Sequence, residues 1–127
     1  IPGTPGRIYA NGVPFRIFGV NWYGTEGNNM ILEGLETRPI DKIMEFIASQ
    51  RFNSLRLLFN MQDWRDDPPI DETRFNALLN PEFAGVRYRE MLMLVVKAAA
   101  RRNILVLLAC HRLRRTYQDA THPEEWP

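Results

Sequence analysis

The sequence predicts an α/β fold built on a parallel sheet, and three observations carry that expectation. The stretch Arg51-Phe52-Asn53-Ser54-Leu55-Arg56-Leu57-Leu58-Phe59-Asn60 reads as a strand. Side chains alternate along a strand, so Leu55, Leu57 and Phe59 share one face and Ser54, Arg56 and Leu58 the other. Ile104 to Cys110 is apolar throughout and too short for an ordinary helix, which fits a strand buried on both faces. Two segments carry apolar residues at helical spacing: Ile40, Ile43, Met44, Ile47 and Ala48, then Tyr88, Met91, Leu92, Val95 and Ala99. Strands separated by such helices can be joined in parallel, because a parallel pair needs a long crossover.

Taken in order, IPGTPG at residues 1–6 is an extended lead-in. Asn11-Gly12 between two apolar runs is a hairpin turn, since both central residues need positive φ. Pro14 confines its arm to an edge or a strand start. A first core strand is expected over 16–22, followed by a loop from Tyr23 to Arg38 rich in Gly, Asn and Glu. Pro39 suits the first turn of a helix over 39–50, and Asp41 lies where the helix dipole favours an anion. The strand over 53–59 comes next. A second loop, 60–84, holds Asp66-Asp67-Pro68-Pro69 and Asn80-Pro81. A helix over 86–102 ends at Asn103, a residue that tolerates the left-handed conformation of a helix stop. The strand 104–110 follows, and 111–127 reads as another loop.

The length of 127 residues allows one domain, taken as a single partial domain over 1–127. Apolar content of 45% and charged content of 24% are those of a globular protein. A net charge of +1 does not point to nucleic acid or to a membrane surface. No apolar run approaches the roughly 20 residues of a membrane helix. Cys110 is the only cysteine, so an intrachain disulfide is impossible. Ile1 in place of methionine, and Glu124-Glu125-Trp126-Pro127 at the other end, read as cut ends.

The polar residues raise the question of a site. Arg56 inside an apolar strand is costly unless an anion or a hydrogen-bonding group meets it. It is either a structural residue, paired or in water, or the lining of a polar site. Ligands of parallel α/β folds bind at the carboxyl ends of strands. Those ends carry Asn21-Trp22-Tyr23, Phe59-Asn60 and His111-Arg112. His111 fits either a structural histidine or a site residue. Cys110 and His111 are strand neighbours on opposite faces and do not make a catalytic dyad. His111, His122 and Cys110 do not form a convincing metal set. His111-Arg112-Leu113-Arg114-Arg115 is a short basic run, better read as a solvated loop than as a nucleic-acid patch. The glycines lack the strand-to-helix context of a phosphate loop.

Together these pieces resemble the amino-terminal part of glycoside hydrolase family 5, the (β/α)8 TIM-barrel cellulases. Asn11-Gly12-Val13-Pro14-Phe15-Arg16-Ile17-Phe18-Gly19-Val20-Asn21-Trp22-Tyr23-Gly24 resembles its opening hairpin and first strand. Glu33-Gly34-Leu35 resembles the segment before its first helix. Phe52-Asn53-Ser54-Leu55-Arg56-Leu57 resembles its second strand, Asn80-Pro81 to Gly85 the turn before its second helix, and Ile104 to His111 its third strand.

The resemblance implies a partial (β/α)8 barrel, an amino-terminal hairpin followed by β-α-β-α-β, from a secreted retaining enzyme acting on β-linked glucan. Arg56 would hold the nucleophilic carboxylate, and His111 would join the network around the sugar beside the scissile bond. Asn21, Trp22, Tyr23 and Glu26 would lie near the sugar groove. No cofactor or metal is implied. Retaining hydrolysis uses two carboxylates about 5–5.5 Å apart. The family's two glutamates belong to its fourth and seventh strands, so this chain would hold neither and would be inactive alone. Its partners would be a β-glucan and the remainder of the barrel, with no nucleic acid and no membrane. Without that remainder, Leu105 and Leu107 would meet water. The sequence departs from the pattern at Arg51, usually Gly, at Leu58, usually Pro, and at Ala109, usually Asp. Glu36 stands where some relatives place an aromatic sugar platform. A non-catalytic relative or a glucan-binding protein is therefore the alternative.

Overall fold

The computed structural model describes residues 6–116. The chain opens with an antiparallel hairpin, β1 (Ile8–Ala10) and β2 (Val13–Phe15). Its turn residues have the positive φ that the sequence requires, 51° at Asn11 and 80° at Gly12. A three-stranded parallel sheet follows in the order β3 (Gly19–Trp22), β4 (Ser54–Asn60), β5 (Leu105–Arg112). Helix α1 (Ile40–Ser49) crosses from β3 to β4, and α3 (Tyr88–Ala100) crosses from β4 to β5. This is the predicted βαβαβ order, unclosed at both edges.

The strand expected over 16–22 begins only at Gly19. The side chain of Asn53 explains the difference. Its Nδ2 donates to the Arg16 carbonyl at 2.7 Å, and its Oδ1 accepts from the Phe18 amide at 2.8 Å. A side-chain amide thus takes the backbone groups that a longer ladder would have used. Asn53 also ties the linker after the hairpin to the amino end of the sheet.

The stretch 60–84 is more ordered than its sequence suggests. It contains a short helix, α2 (Met61–Asp66), and 3₁₀ turns at Glu72–Arg74 and Pro81–Phe83. Helix α2 is too short to show an apolar stripe, and Asn60 starts it by accepting from the Asp63 amide. The buried Asn80 does similar work at long range. Its Oδ1 accepts from Ile40 N at 2.8 Å, and its Nδ2 donates to the carbonyls of Leu35 and Arg38, each at 2.9 Å. That supplies the start of α1 with an acceptor that Pro39 lacks.

One apolar cluster unites the helices with one side of the sheet. Leu55 and Leu57 of β4 are fully buried, as are Met44 of α1 and Met91 and Val95 of α3. Among the described residues no element covers the other side of the sheet. Leu105 is 55% exposed and Leu107 61%, as the reading of a partial barrel anticipates. The expected loop over 111–127 begins at Leu113, since His111 and Arg112 extend β5. Residues 117–127, with His122, lie outside the described residues, as do residues 1–5 of the lead-in.

Candidate functional site

The open face of the sheet carries a hollow of about 390 Å³. Asn21, Arg56 and Leu107 stand level across its three strands, with Gly19, Ser54 and Leu105 in the row below. Residues in register on neighbouring strands share a face. Arg56 is half-buried, and among the described residues it has no hydrogen-bond or ion-pair partner. The Ser54 hydroxyl is buried and, among the described residues, without a hydrogen bond. A cation and a hydroxyl left this way suit an anionic or strongly hydrogen-bonding group. Gly19 keeps the row compact, because a Cβ there would come within 2.6 Å of Ser54 Oγ.

Arg56 and His111 are on adjacent strands but at different heights. Arg56 faces Leu107, and His111 lies four residues farther on, about 13 Å along the strand. The ladder is irregular there: Phe59 pairs with Cys110, then Asn60 with Arg112, which makes His111 the extra residue of a bulge. Bulges re-aim side chains and often sit beside sites.

The four residues of β3 and its loop that the resemblance assigns to a sugar groove divide. Asn21 and Tyr23 are exposed, Tyr23 by 59%. Trp22 pairs with buried Leu57, packs against the core, and donates its indole N–H to the Glu33 carbonyl at 2.8 Å. Glu26 is buried and accepts from the Gly24 amide at 2.7 Å. Trp22 and Glu26 therefore hold the loop, Trp22 from a half-buried position and Glu26 from a buried one. Gly24 is needed at their junction: its φ is 124°, and a Cβ would press on the Ile31 carbonyl at 2.3 Å.

A buried polar network, whose connections the sequence does not show, lies at the carboxyl end of β4. Asn60 is fully buried; its Nδ2 donates to Asp63 Oδ2 at 2.7 Å and to the Glu26 carbonyl at 3.2 Å. Its amide donates to the Tyr88 hydroxyl at 3.4 Å, which donates to the Thr25 carbonyl at 2.5 Å. The Thr25 hydroxyl donates to the Leu58 carbonyl. Burial pushes the Tyr88 phenol well above its usual range, with the charges of Asp63 and Glu26 adding to the rise. Asp63 is fully buried and pairs with Arg115, whose Nε lies 3.1 and 3.0 Å from its two oxygens. The bond to Asp63 holds the Arg115 guanidinium above its ordinary pKa. The sequence places Arg115 in a solvated loop, and the structure corrects that: its half-buried cation pairs with the fully buried Asp63 carboxylate. The spacing Asn60-x-x-Asp63 is a capping signal that marked the start of α2.

Fold and site together define the opening βαβαβ portion of a (β/α)8 barrel, with polar side chains gathered toward the carboxyl ends of its strands. The particular likeness is to cellulases. An endoglucanase of Paenibacillus polymyxa is 27% identical over 94 residues, covering 74% of this chain and 23% of that protein. An endocellulase of Pyrococcus horikoshii, solved with cellotetraose, superposes with a TM-score of 0.75 at 30% identity, covering 83% of this chain and 27% of that one. The catalytic domain of the major endoglucanase of Xanthomonas campestris pv. campestris superposes with a TM-score of 0.75 at 25% identity, over 83% of this chain and 30% of that one. No family model matches. The chain resembles the amino-terminal part of glycoside hydrolase cellulases and spans about a quarter of the length of the relatives it matches.

Proposed function

We propose that the chain is the opening portion of a secreted retaining endo-β-1,4-glucanase, contributing sugar-site residues but not the catalytic carboxylates. The observation that carries the reading is Arg56, without a partner among the described residues, on the open face of a parallel sheet whose fold matches the start of endocellulases. In the assembled barrel Arg56 would hydrogen-bond the nucleophilic carboxylate and keep it ionised. His111 would join the hydrogen bonds around the sugar beside the scissile bond, and Asn21 and Tyr23 would border the groove. Trp22 and Glu26 would support that groove through the loop they hold.

Inactivity of the isolated chain is supported by the state of the carboxylates nearest the end of β4. Glu26 is buried in its own loop, and Asp63 is taken up by Arg115 and Asn60. Retaining hydrolysis needs two carboxylates that face each other across the scissile bond, about 5–5.5 Å apart, and open to substrate. The uncovered face also supports dependence on a covering partner, the remainder of the barrel. The test is an assay of the pure chain on carboxymethyl-cellulose and an aryl cellobioside, with cellotetraose binding followed by NMR. The expected result is no turnover, with weak binding that perturbs Asn21, Arg56 and His111. Turnover that stays with the chain through purification would overturn the proposed inactivity, and binding that leaves all three unperturbed would overturn the site.

A second reading, a non-catalytic glucan-binding relative, is favoured by one observation. Leu58 and Ala109, two of the departures from the family pattern, are direct cross-strand partners. An apolar pair stands where the resemblance leads one to expect Pro and Asp, which removes a candidate anion for Arg56. Joining the chain to a complementary carboxyl-terminal barrel portion separates the two readings: turnover supports the first, and glucan binding without turnover the second.

A further inference from the structure

We propose that Asp63 and Arg115 are positioning residues for His111. Their ion pair clamps the segment leaving β5 against α2 and so fixes where the histidine stands. The functional meaning of the clamp rests on the reading of His111 as a sugar-site residue; the clamp itself rests on geometry. His111 is the extra residue of a bulge, so regular strand pairing does not determine its direction. The contacts just beyond it take over that task. The Gln62 amide donates to the Leu113 carbonyl at 3.0 Å, and the Arg115 amide donates to Gln62 Oε1 at 3.2 Å. The Arg115 guanidinium then grips Asp63, which also accepts from Asn60 Nδ2 at 2.7 Å. Asn60 faces Arg112 across the ladder. The circuit Asn60–Asp63–Arg115, returning through the chain to Arg112, closes around the bulge.

The chemistry favours a positioning role. An ion pair with one partner fully buried often contributes little net stability compared with apolar residues of the same shape, because desolvation of the carboxylate offsets the attraction. What it supplies is geometry. A carboxylate fully buried and met by a planar guanidinium has few alternative arrangements, and Arg is the side chain that offers a fixed fork of donors.

The experiment follows the ring resonances of His111 in the 127-residue chain by ¹H–¹³C NMR, assigned with His111→Gln. Arg115→Met and Gln62→Ala are compared with Ile47→Val, a core change remote in sequence from the clamp. In both clamp variants the His111 ring resonances are expected to shift. In Arg115→Met the Gln62 amide is also expected to exchange with solvent roughly a hundredfold faster. Arg115→Lys should restore part of both effects. Ile47→Val should lower the unfolding midpoint and leave His111 in place. His111 resonances unmoved in folded Arg115→Met would overturn the proposal. If Arg115→Met does not fold, the milder Gln62→Ala decides by the same criterion. Cellotetraose added to the unaltered chain tests the sugar-site reading separately: a clamp variant that moves His111 while the sugar does not would leave the clamp standing and remove that site.

Discussion

The two faces of the parallel sheet differ in what they bury. On the helix side, Leu55 and Leu57 are fully enclosed by residues of α1 and α3. On the open side, Arg56 has no partner among the described residues and Leu107 is 61% exposed. Both sets alternate along one strand, β4, or pair with it. One face therefore carries the stability of this chain, and the other carries the groups that a ligand or a covering partner would meet. An apolar side chain stabilises only when something removes it from water, at roughly 25 cal/mol per Å². Composition alone cannot separate Leu57 from Leu107; only their surroundings do.

The largest effect should come from testing that contrast directly. Leu57→Ala is expected to cost about 2–5 kcal/mol by lost burial and cavity formation. Leu107→Ala should change stability by no more than about 0.5 kcal/mol, because the side chain already meets water. Urea unfolding of both variants followed by circular dichroism checks this. Equal losses would mean that the open face is covered in solution, and a dependence on protein concentration would identify a second copy as the cover.

Tyr88 gives the next effect, on the covered side where α3 meets the polar network. Tyr88→Phe keeps the packing and removes the donor to the Thr25 carbonyl, at a cost of roughly 1–3 kcal/mol. The phenol also sets a pH dependence. Its folded pKa is raised, chiefly by burial, so the neutral form is favoured in the fold. That contribution is fully present below the unfolded value of about 10 and is lost as pH rises above it. The native chain should weaken steeply above about pH 10, and Tyr88→Phe should flatten that loss. Unfolding midpoints measured from neutral to alkaline pH would show it; the same alkaline slope in both proteins would refute the assignment.

These regions also differ in how legible they were. The strands, the helices and their parallel order came from periodicity, which is a local signal: Leu55 with Leu57, Ile40 with Met44, Tyr88 with Val95. Arg56 was visible because a charge interrupts an apolar strand. The clamp was not visible, because Asp63 and Arg115 are 52 positions apart and each looks like an ordinary surface charge. Trp22 and Glu26 fell between the two cases. Their position at the end of β3 was readable, while their hydrogen bonds to Glu33 and Gly24 depend on how the following loop folds back. Asn53 and Asn80 show the same limit, since each ties backbone groups brought near by the fold, whereas the cap that Asn60 places on the Asp63 amide is local.

The smallest effect concerns the ends of the two crossover helices, which the sequence marks differently. After α1 the chain turns at Arg51 with φ 64°, and after α3 at Asn103 with φ 56°. Both residues occupy the left-handed region that ends many helices. The Arg51 amide donates to the Ala48 carbonyl at 2.9 Å, so the conformation closes the helix and is not idle. For an L-residue with a long side chain this region costs roughly 1–2 kcal/mol, whereas Asn visits it more readily. Arg51→Gly removes that strain, and the exposed Arg51 side chain has little packing to lose. Glycine also loosens the unfolded chain, which returns about 0.4–1 kcal/mol. The net expectation is a gain of up to about 1 kcal/mol for Arg51→Gly, and a smaller one for Asn103→Gly. Urea unfolding resolves a difference of this size when the slopes agree. A loss of stability in Arg51→Gly would show that the arginine makes a stabilising contact in solution, and equal gains at both positions would show that side-chain identity does not govern these helix ends.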